Sequence, residues 1–255
     1  MKLLQSEKSN VSWKSLIYSV PKGVMEFAMR SATNTLATPD NLKKWSISRN
    51  DNCKRCTTQP KKATLFHILN NCDGFLGEKE RMTWRHNSVL KYIIETLKER
   101  APSHIKVFGD LNDHNINGGT IPQNIMMTTS RPDLVVIDNS EATVYLFELT
   151  ICFERHDNIL AANRRKHDRY VSLAEDIREA GYKCKNIPFE IGSRGHITGE
   201  NKTKLSIMHK LCNPATNYSK FWQNISKTSL LCSYSIYLSR NDAWTEIPPL
   251  EPVKK

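Results

Sequence analysis

Two short apolar segments separated by a polar turn dominate the hydrophobic pattern of the chain. The segments cover residues 134–137 and 143–149, and the turn between them is Asp-Asn-Ser-Glu at 138–141. Runs of valine, isoleucine, leucine and aromatic residues on either side of such a turn predict an antiparallel hairpin. Both faces of both segments are apolar, so we expect the hairpin to lie inside a sheet that is covered on both sides.

Two carboxylates are expected to meet at the open end of this hairpin. If the turn is centred between residues 140 and 141, Asp133 lies directly opposite Glu148. Directly opposed residues have Cβ atoms about 4.5–5.5 Å apart, so the two carboxylates repel each other unless a cation lies between them. Oxygen ligands at this spacing suit Mg²⁺. The pattern therefore predicts a divalent metal site, in a place where an unpaired charge would be costly.

Hydrophobic periodicity predicts helices and further strands on both sides of the hairpin. The predicted helices cover residues 24–35, 63–71, 78–100, 157–180, 202–211, 216–227 and 229–239. An edge strand is expected at 125–128, inside a loop or hairpin that spans 109–129. The helix at 157–180 is expected to begin at an Asp157 N-cap and to end at Gly181. It leads by a crossover to a strand at 186–191, beside the strand of Glu148.

Four soft metal ligands occur at the spacing Cys53-x2-Cys56-x10-His67-x4-Cys72. The first two cysteines fit a tight turn, and His67 and Cys72 lie about one helical turn apart, so their side chains can converge. Three thiolates and one imidazole complete a closed, tetrahedral zinc site that leaves no open position for catalysis. The spacing predicts a structural Zn²⁺. The alternative is a group of ordinary buried cysteines with a lone histidine.

The basic charge of the chain indicates a polyanionic partner. The formal net charge of its 255 residues is +11, and the isoelectric point is about 9.3. Nucleic acid is the simplest such partner, although basic chains also bind acidic proteins or simply stay soluble. We find no secretory signal and no segment long enough to span a membrane. A reducing intracellular environment is therefore expected for the seven cysteines.

The order of several residues resembles a known group of nucleases. Pro132-Asp133, followed by an acid at the end of the next strand, is similar to the PD-(D/E)xK nuclease core, but Thr150 stands where that motif has its lysine. Lys166 and Tyr170 on the next helix, together with the CCHC motif and Arg85-His86-Asn87, give a closer resemblance. They are similar to the restriction-like endonuclease domain of site-specific non-LTR retrotransposon proteins. In those enzymes the lysine is displaced onto the helix.

This resemblance, which covers roughly residues 36–212, implies the fold class. We expect an α/β fold with a restriction-endonuclease-like mixed sheet flanked by helices, preceded by a small N-terminal CCHC zinc module. The chain then divides into a leader or linker region at 1–52, the zinc module at 53–77, the endonuclease domain at 78–242 and a tail at 243–255.

The same resemblance implies a Mg²⁺- or Mn²⁺-dependent DNA endonuclease that nicks target DNA and leaves a 3′-hydroxyl primer for reverse transcription. Asp133 and Glu148, with the main-chain carbonyl of Leu149, would hold the metal ion. Lys166 would orient the attacking water or neutralise the transition state. The implied partners are double-stranded DNA, the element RNA and the upstream reverse-transcriptase region of the same polypeptide, and the implied location is the nucleus. No membrane partner is expected.

Several arginines are candidates for contacts with DNA phosphates, although such charges are commonly just solvated. They are Arg85, Arg131, Arg165, Arg169 and Arg194. His86 lies on the apolar side of its predicted helix, where it is either a rival metal ligand or a half-buried histidine with an ordinary hydrogen bond.

Two other functions fit parts of the sequence. One is a catalytically inactive nucleic-acid-binding zinc protein derived from such an element, in which Thr150 marks lost chemistry. The other is a zinc-stabilised protein-interaction module, which leaves the opposed acids unexplained.

Overall fold

The structure is a computed structural model that describes residues 19–76, 81–212 and 217–242. The predicted tail at 243–255 lies outside these residues, as does the part of the predicted leader at 1–18. The side chains of residues 75, 76 and 156 are also outside the description.

Eight α-helices, one π-helical turn and four strands make up the described part of the chain. The helices are α1 (Lys22–Ala32), α2 (Pro39–Lys44), α3 (Asp73–Leu76), α4 (Arg81–Glu99), α5 (His156–Arg169), α6 (Val171–Glu179), α7 (Gly199–Cys212) and α8 (Tyr218–Leu238). The π-helical turn is His67–Asn71. The strands are β1 (Ile105–Gly109), β2 (Leu134–Asp138), β3 (Thr143–Cys152) and β4 (Lys183–Gly192).

The four strands form one mixed sheet in the order β1-β2-β3-β4. β1 and β2, and β2 and β3, pair antiparallel, whereas β4 lies parallel to β3 after the crossover through α5 and α6. In the central hairpin Leu134 pairs with Phe147 and Asp138 pairs with Thr143. This register confirms the predicted hairpin and its turn. The crossover to the parallel strand is confirmed as well.

Helices cover both faces of the sheet, as the two-sided apolar pattern predicts. On one face the aromatic side chains of β3, Tyr145 and Phe147, pack with apolar residues of α4, α7 and α8. On the other face Val144 and Leu146 pack against Tyr170 and the apolar side of α6. A third apolar cluster joins α1 and the Cys/His segment to the end of α8. The central strands are consequently shielded from water over most of their length.

The strands at the two edges of the sheet are β1 and β4, so the edge strand predicted at 125–128 is wrong. Ile125 packs with Ile121 in the cluster beneath α6, and residues 126–130 have no regular structure. On β1 the side chains of Ile105 and Val107 are buried, and they pack in the cluster on the sheet face covered by α4, α7 and α8. The short apolar run near residue 125 is thus a loop anchored on the core, a case that alternation alone cannot separate from a strand.

The predicted helix at 157–180 is two helices separated at Tyr170. The backbone there leaves helical geometry, with φ −118° and ψ 16°, while the ring turns into the core. The N-cap is Arg155 rather than Asp157, which lies in the first turn where its charge favours the helix dipole. Gly181 adopts a positive φ of 92° after α6, consistent with the predicted helix stop.

The two helices predicted at 216–227 and 229–239 are one helix, α8, and their predicted first residue 216 lies outside the described residues. The side chain of Asn217 caps the N-terminus of α8 by accepting from the Ser219 amide at 2.9 Å. The helix continues through Thr228, whose hydroxyl donates to the Asn224 carbonyl one turn earlier. The Ser229 hydroxyl donates to the Gly192 carbonyl and so ties the middle of α8 to the end of β4.

Candidate active site and zinc module

The two predicted metal-binding acids are brought together by reciprocal hydrogen bonds at the open end of the β2–β3 hairpin. The Asp133 amide donates to Glu148 Oε1 at 2.8 Å, and the Leu149 amide donates to Asp133 Oδ2 at 2.9 Å. The Glu148 side chain is fully buried, whereas 14% of the Asp133 side chain is exposed. Each carboxylate is therefore fixed by the backbone beside the other one, as the predicted register requires.

Lys166 lies between these two acids. Its Nζ is 3.0 Å from Asp133 Oδ2 and 2.7 Å from Glu148 Oε2. Its helical neighbours Arg165 and His167 are exposed, whereas Lys166 points toward the sheet, as does Asn163 one turn earlier, which donates to Glu190 on β4. The structure thus places the lysine of α5 against the acids, although the register position two residues after Glu148 is occupied by Thr150.

The charges in this cluster depend on one another. Burial alone would raise the pKa of Asp133, but the hydrogen bond from His86 and the charges of His86 and Lys166 hold that pKa well below its usual range. Burial and the Asp133 charge raise the pKa of Glu148 to about 7. Burial opposes the ammonium charge of Lys166, yet the two carboxylates raise its pKa overall. The cluster therefore favours a charged Lys166 beside a charged Asp133.

His86 also contacts Asp133. From the sequence alone, His86 is either a metal ligand or a half-buried histidine with an ordinary hydrogen bond. Its Nε2 is 3.4 Å from Asp133 Oδ2, and its side chain is 22% exposed. Burial opposes a charge on the imidazole, but the hydrogen bond and the charge of Asp133 raise the pKa of His86 overall. The only sequence signal for this contact is the position of His86 on the apolar side of α4. That signal does not identify its partner.

Tyr170 joins the site to the segment that leads into β2. Its hydroxyl donates to the Arg131 carbonyl at 3.0 Å. Burial, followed by the charges of Glu148 and Asp133, raises the pKa of the Tyr170 hydroxyl well above its usual range. A neutral hydroxyl is thereby available as a donor that holds the backbone just before Asp133.

Four of the five arginines predicted to contact phosphates are at least partly exposed, in three different environments. Arg165 and Arg169 are exposed on α5. Arg131 is half-exposed and forms an ion pair with Asp110. The Arg194 side chain is 16% exposed and donates to Glu154 Oε2 at 2.8 Å and to the Ser31 carbonyl at 2.9 Å.

Arg85 is 1% exposed and lies inside the protein, so the expected phosphate contact does not fit its burial. Its guanidinium donates to the Ser233 hydroxyl at 2.8 Å and to the Leu69 carbonyl at 3.0 Å. Arg85 therefore links α4 to α8 and to the π-helical turn, because a buried charge must find hydrogen-bond acceptors within the fold.

The four predicted zinc ligands form one buried cluster. Ligand atoms of Cys53, Cys56, His67 and Cys72 all lie within 4.8 Å of one another. The Cys53 and Cys72 sulfurs are 3.7 Å apart, and the Cys56 sulfur is 3.5 Å from His67 Nε2. A tetrahedral Zn²⁺ with bonds of about 2.0–2.3 Å requires ligand separations near these values. Soft donors on four sides leave no open position, so the cluster fits a structural zinc.

Local backbone structure explains why the four ligands converge. An isolated bridge between Asn52 and Lys62 closes the loop that carries Cys53 and Cys56. The helix predicted at 63–71 is in its second half a π-helical turn. Residues five apart are about 140° apart around an α-helix, so the wider turn helps His67 and Cys72 to face the same point.

Comparison with known proteins supports the zinc assignment. Residues 1–76 match the family described as zinc-binding in reverse transcriptase. This zinc-binding segment includes all four Cys/His ligands, and their convergence fits the zinc module of a retrotransposon protein. The match links the chain to reverse-transcriptase-related elements and ends before α4 and the sheet. No curated protein matches the chain.

Across residues 19–76, 81–212 and 217–242, none of the helices combines the length and the apolar character that crossing a bilayer requires.

Proposed function

We propose that this chain is a metal-dependent DNA endonuclease of a reverse-transcriptase-related element. The observation that carries the proposal is the convergence of Asp133, Glu148 and Lys166 at one end of a central hairpin. Asp133 immediately precedes β2, Glu148 lies on β3 and Lys166 lies on α5, so the cluster joins side chains up to 33 residues apart along the chain. Two acids and one lysine in this arrangement suit metal-assisted hydrolysis of a phosphodiester.

The donor set fits Mg²⁺ or Mn²⁺. Asp133 and Glu148 direct one oxygen each at the same cation, the Lys166 ammonium, and hard carboxylate oxygens are the ligands that these metal ions prefer. Among the described residues no donor contacts Asp133 Oδ1, so this atom is also available to a metal ion. The main-chain carbonyl of Leu149 would be a further ligand by resemblance to the restriction-like endonucleases.

When bound, the metal ion would polarise the scissile phosphate and lower the pKa of its bound water. Lys166 would then turn from the carboxylates toward the phosphate, where its ammonium stabilises the charge of the pentavalent transition state or orients the attacking water. The Asp133 and Leu149 amides would keep the two carboxylates in place during this exchange. The strand cut in this way carries a 5′-phosphate and a 3′-hydroxyl.

The basic side of α5 would position the duplex. Arg165 and Arg169 are exposed on the helix that carries Lys166, so they can neutralise phosphates that flank the cleavage site. We propose double-stranded DNA as the substrate and the nucleus as the location. The 3′-hydroxyl would prime reverse transcription of element RNA by an upstream reverse-transcriptase region of the same polypeptide.

The contacts of Lys166 with both Asp133 and Glu148 favour an enzyme over an inactive binding protein. In a decayed site nothing would maintain a buried lysine between two acids, since replacing buried ion pairs by apolar residues is commonly neutral or stabilising. Thr150 in place of the motif lysine carries little weight against this, because Lys166 supplies the cation.

The test is nicking of supercoiled plasmid by the zinc-loaded chain in Mg²⁺ or Mn²⁺, with EDTA as the blank. We expect nicking by the wild type, loss of it in Glu148→Gln, and wild-type rates in Glu175→Gln, which changes an exposed glutamate of α6. The nick should be extended by a DNA polymerase without prior end repair, because its 3′ end is a hydroxyl. Nicking that persists in EDTA or in Glu148→Gln would refute the proposal.

A further inference from the structure

His86 contacts Asp133 from a different element than Lys166 does. It lies near the start of α4, a helix that packs on the sheet face opposite to the one covered by α6. Its Nε2 is 3.4 Å from Asp133 Oδ2, while Lys166 on α5 approaches the same oxygen at 3.0 Å. Asp133 is therefore held from two directions, at the end of the β2–β3 hairpin that lies away from the turn.

The contacts of Asp133 Oδ2 divide into fixed and mobile ones. The Leu149 amide belongs to the hairpin backbone, and the long side chain of Lys166 has four rotatable bonds. An imidazole on a packed helix has only two. If Lys166 moves toward a phosphate during the reaction, His86 and the Leu149 amide are the groups that remain on Oδ2.

The position of His86 is determined by its surroundings. The adjacent Arg85 is buried and donates to Leu69 and Ser233, which ties this turn of α4 to the zinc module and to α8. The second ring nitrogen, Nδ1, lies 3.0 Å from Asn87 Oδ1. Both nitrogens of the His86 ring thus have partners, so the ring has one preferred orientation.

We propose that His86 is a positioning residue that fixes the carboxylate of Asp133 for metal binding. This inference rests on the proposed function in that Asp133 is taken as a metal ligand. By holding the carboxylate in one orientation, His86 keeps Oδ2 where the cation of Lys166 now contacts it and leaves Oδ1 accessible, so that the ion can bind the carboxylate when Lys166 withdraws. Groups that hydrogen-bond a metal ligand from behind commonly change metal affinity or activity by about 10–100-fold when they are removed.

A histidine that merely fills space on an apolar helix face would have different consequences. It would contribute to stability through its packing, and its replacement would leave metal affinity unchanged in the fraction that folds. The two roles are therefore separated by metal binding, which is measured independently of catalysis and of thermal stability.

The experiment measures Mn²⁺ binding to the zinc-loaded chain by electron paramagnetic resonance of free Mn²⁺, with Asp133→Asn as the blank. We expect His86→Ala to weaken the Asp133-dependent binding about tenfold and to slow nicking at least as much. His86→Gln retains an N–H donor of similar reach and should recover most of both losses. The matched control is His104→Ala, an exposed histidine near the turn end of the hairpin.

Unfolding midpoints of all variants identify losses that come only from misfolding. Wild-type Mn²⁺ affinity in a folded His86→Ala variant would overturn the inference, and so would equal losses in His86→Gln and His86→Ala. If the wild type fails to nick DNA while Mn²⁺ binding still depends on Asp133 and His86, the nuclease proposal fails and the positioning role stands. Absence of any Asp133-dependent Mn²⁺ binding would overturn both.

Discussion

The ammonium of Lys166 occupies the space that a cation shared by Asp133 and Glu148 would take. Its contacts of 2.7 and 3.0 Å are direct, and only 16% of the side chain is exposed. In the absence of metal the lysine neutralises two neighbouring carboxylates that would otherwise repel each other across the hairpin. Lysine and metal ion should therefore compete for the same oxygens, even though the proposed reaction needs both.

This competition predicts opposite effects of one substitution. Lys166→Met should bind Mn²⁺ about tenfold more tightly than the wild type, because no ammonium has to be displaced from the carboxylates, yet its nicking should be lost. Mn²⁺ titration followed by paramagnetic resonance measures the first effect, and plasmid nicking measures the second. Lys183→Met, which removes an exposed lysine from the start of β4, should change neither. Unchanged or weaker Mn²⁺ binding in Lys166→Met would contradict the competition.

The sequence predicts the positions of the two acids better than it predicts the side chains that contact them. Asp133 and Glu148 follow from the centre of one turn, since antiparallel pairing fixes every partner once the turn is known. The inward direction of Lys166 follows from the period of its helix. The contact of His86 with Asp133 depends on how α4 docks at the end of the sheet, and nothing within α4 itself specifies that arrangement.

Among the elements, the zinc module and α4 are held together by hydrogen bonds from Arg85 rather than by apolar packing alone. The guanidinium is buried, and burial lowers its pKa to about 10. Its acceptors lie on the π-helical turn and on α8, so one side chain connects three elements around the end of the sheet.

Removing this connection should be costly. Arg85→Ala is expected to lower the free energy of unfolding by about 3 kcal/mol, because it leaves the Leu69 carbonyl without this donor and opens a cavity. Urea denaturation checks this value, and Arg30→Ala, at an exposed arginine of α1, should stay within about 0.5 kcal/mol of the wild type. A decrease below about 1 kcal/mol for Arg85→Ala would show that these hydrogen bonds are dispensable.

The zinc module gives a second prediction for an element. Cys56→Ser should reduce the zinc content of the purified chain well below one ion per molecule and lower its thermal midpoint, because the bound ion ties the loop of Cys53 and Cys56 to the π-helical turn. The matched variant is Cys184→Ser, which changes a buried cysteine of β4 outside the cluster and should keep its zinc. Elemental analysis measures the zinc content of both variants. A full complement of zinc in Cys56→Ser would rule out the four-ligand site.

The elements that the sequence did not predict have identifiable causes. Tyr170 interrupts the long helix because its ring enters the core and its hydroxyl reaches the Arg131 carbonyl, a contact 39 residues away along the chain. The apolar residues near Ile125 look like a strand, yet they pack as a loop under α6. In both cases tertiary packing overrides a local pattern that is compatible with more than one structure.

For the whole molecule, the charge of +11 agrees with a polyanionic partner but does not identify which arginines would meet it. Composition cannot distinguish a buried guanidinium from an exposed one. Arg85 and Arg194 are engaged within the protein, whereas Arg165 and Arg169 lie exposed beside Lys166. Phosphate contacts are therefore expected chiefly along α5.

Salt dependence of DNA binding tests this distribution. Removal of one arginine–phosphate pair should reduce the slope of log K against log salt by about 0.9, so Arg165→Gln and Arg169→Gln should each flatten it by roughly that amount. Fluorescence anisotropy with a labelled duplex between about 50 and 200 mM salt gives the slopes. Lys183→Gln, at the turn end of the sheet, should leave the slope unchanged. Equal effects of all three variants would indicate binding by net charge alone.

If Asp133 belongs to a metal-dependent phosphodiesterase site, its substitution must slow single-turnover cleavage of an end-labelled duplex in Mn²⁺. We expect Asp133→Asn, folded and zinc-loaded like the wild type, to cleave the duplex at least about 100-fold more slowly, because the substitution removes a charged ligand of the ion. Equal cleavage rates for the two proteins would show that Asp133 is not part of such a site.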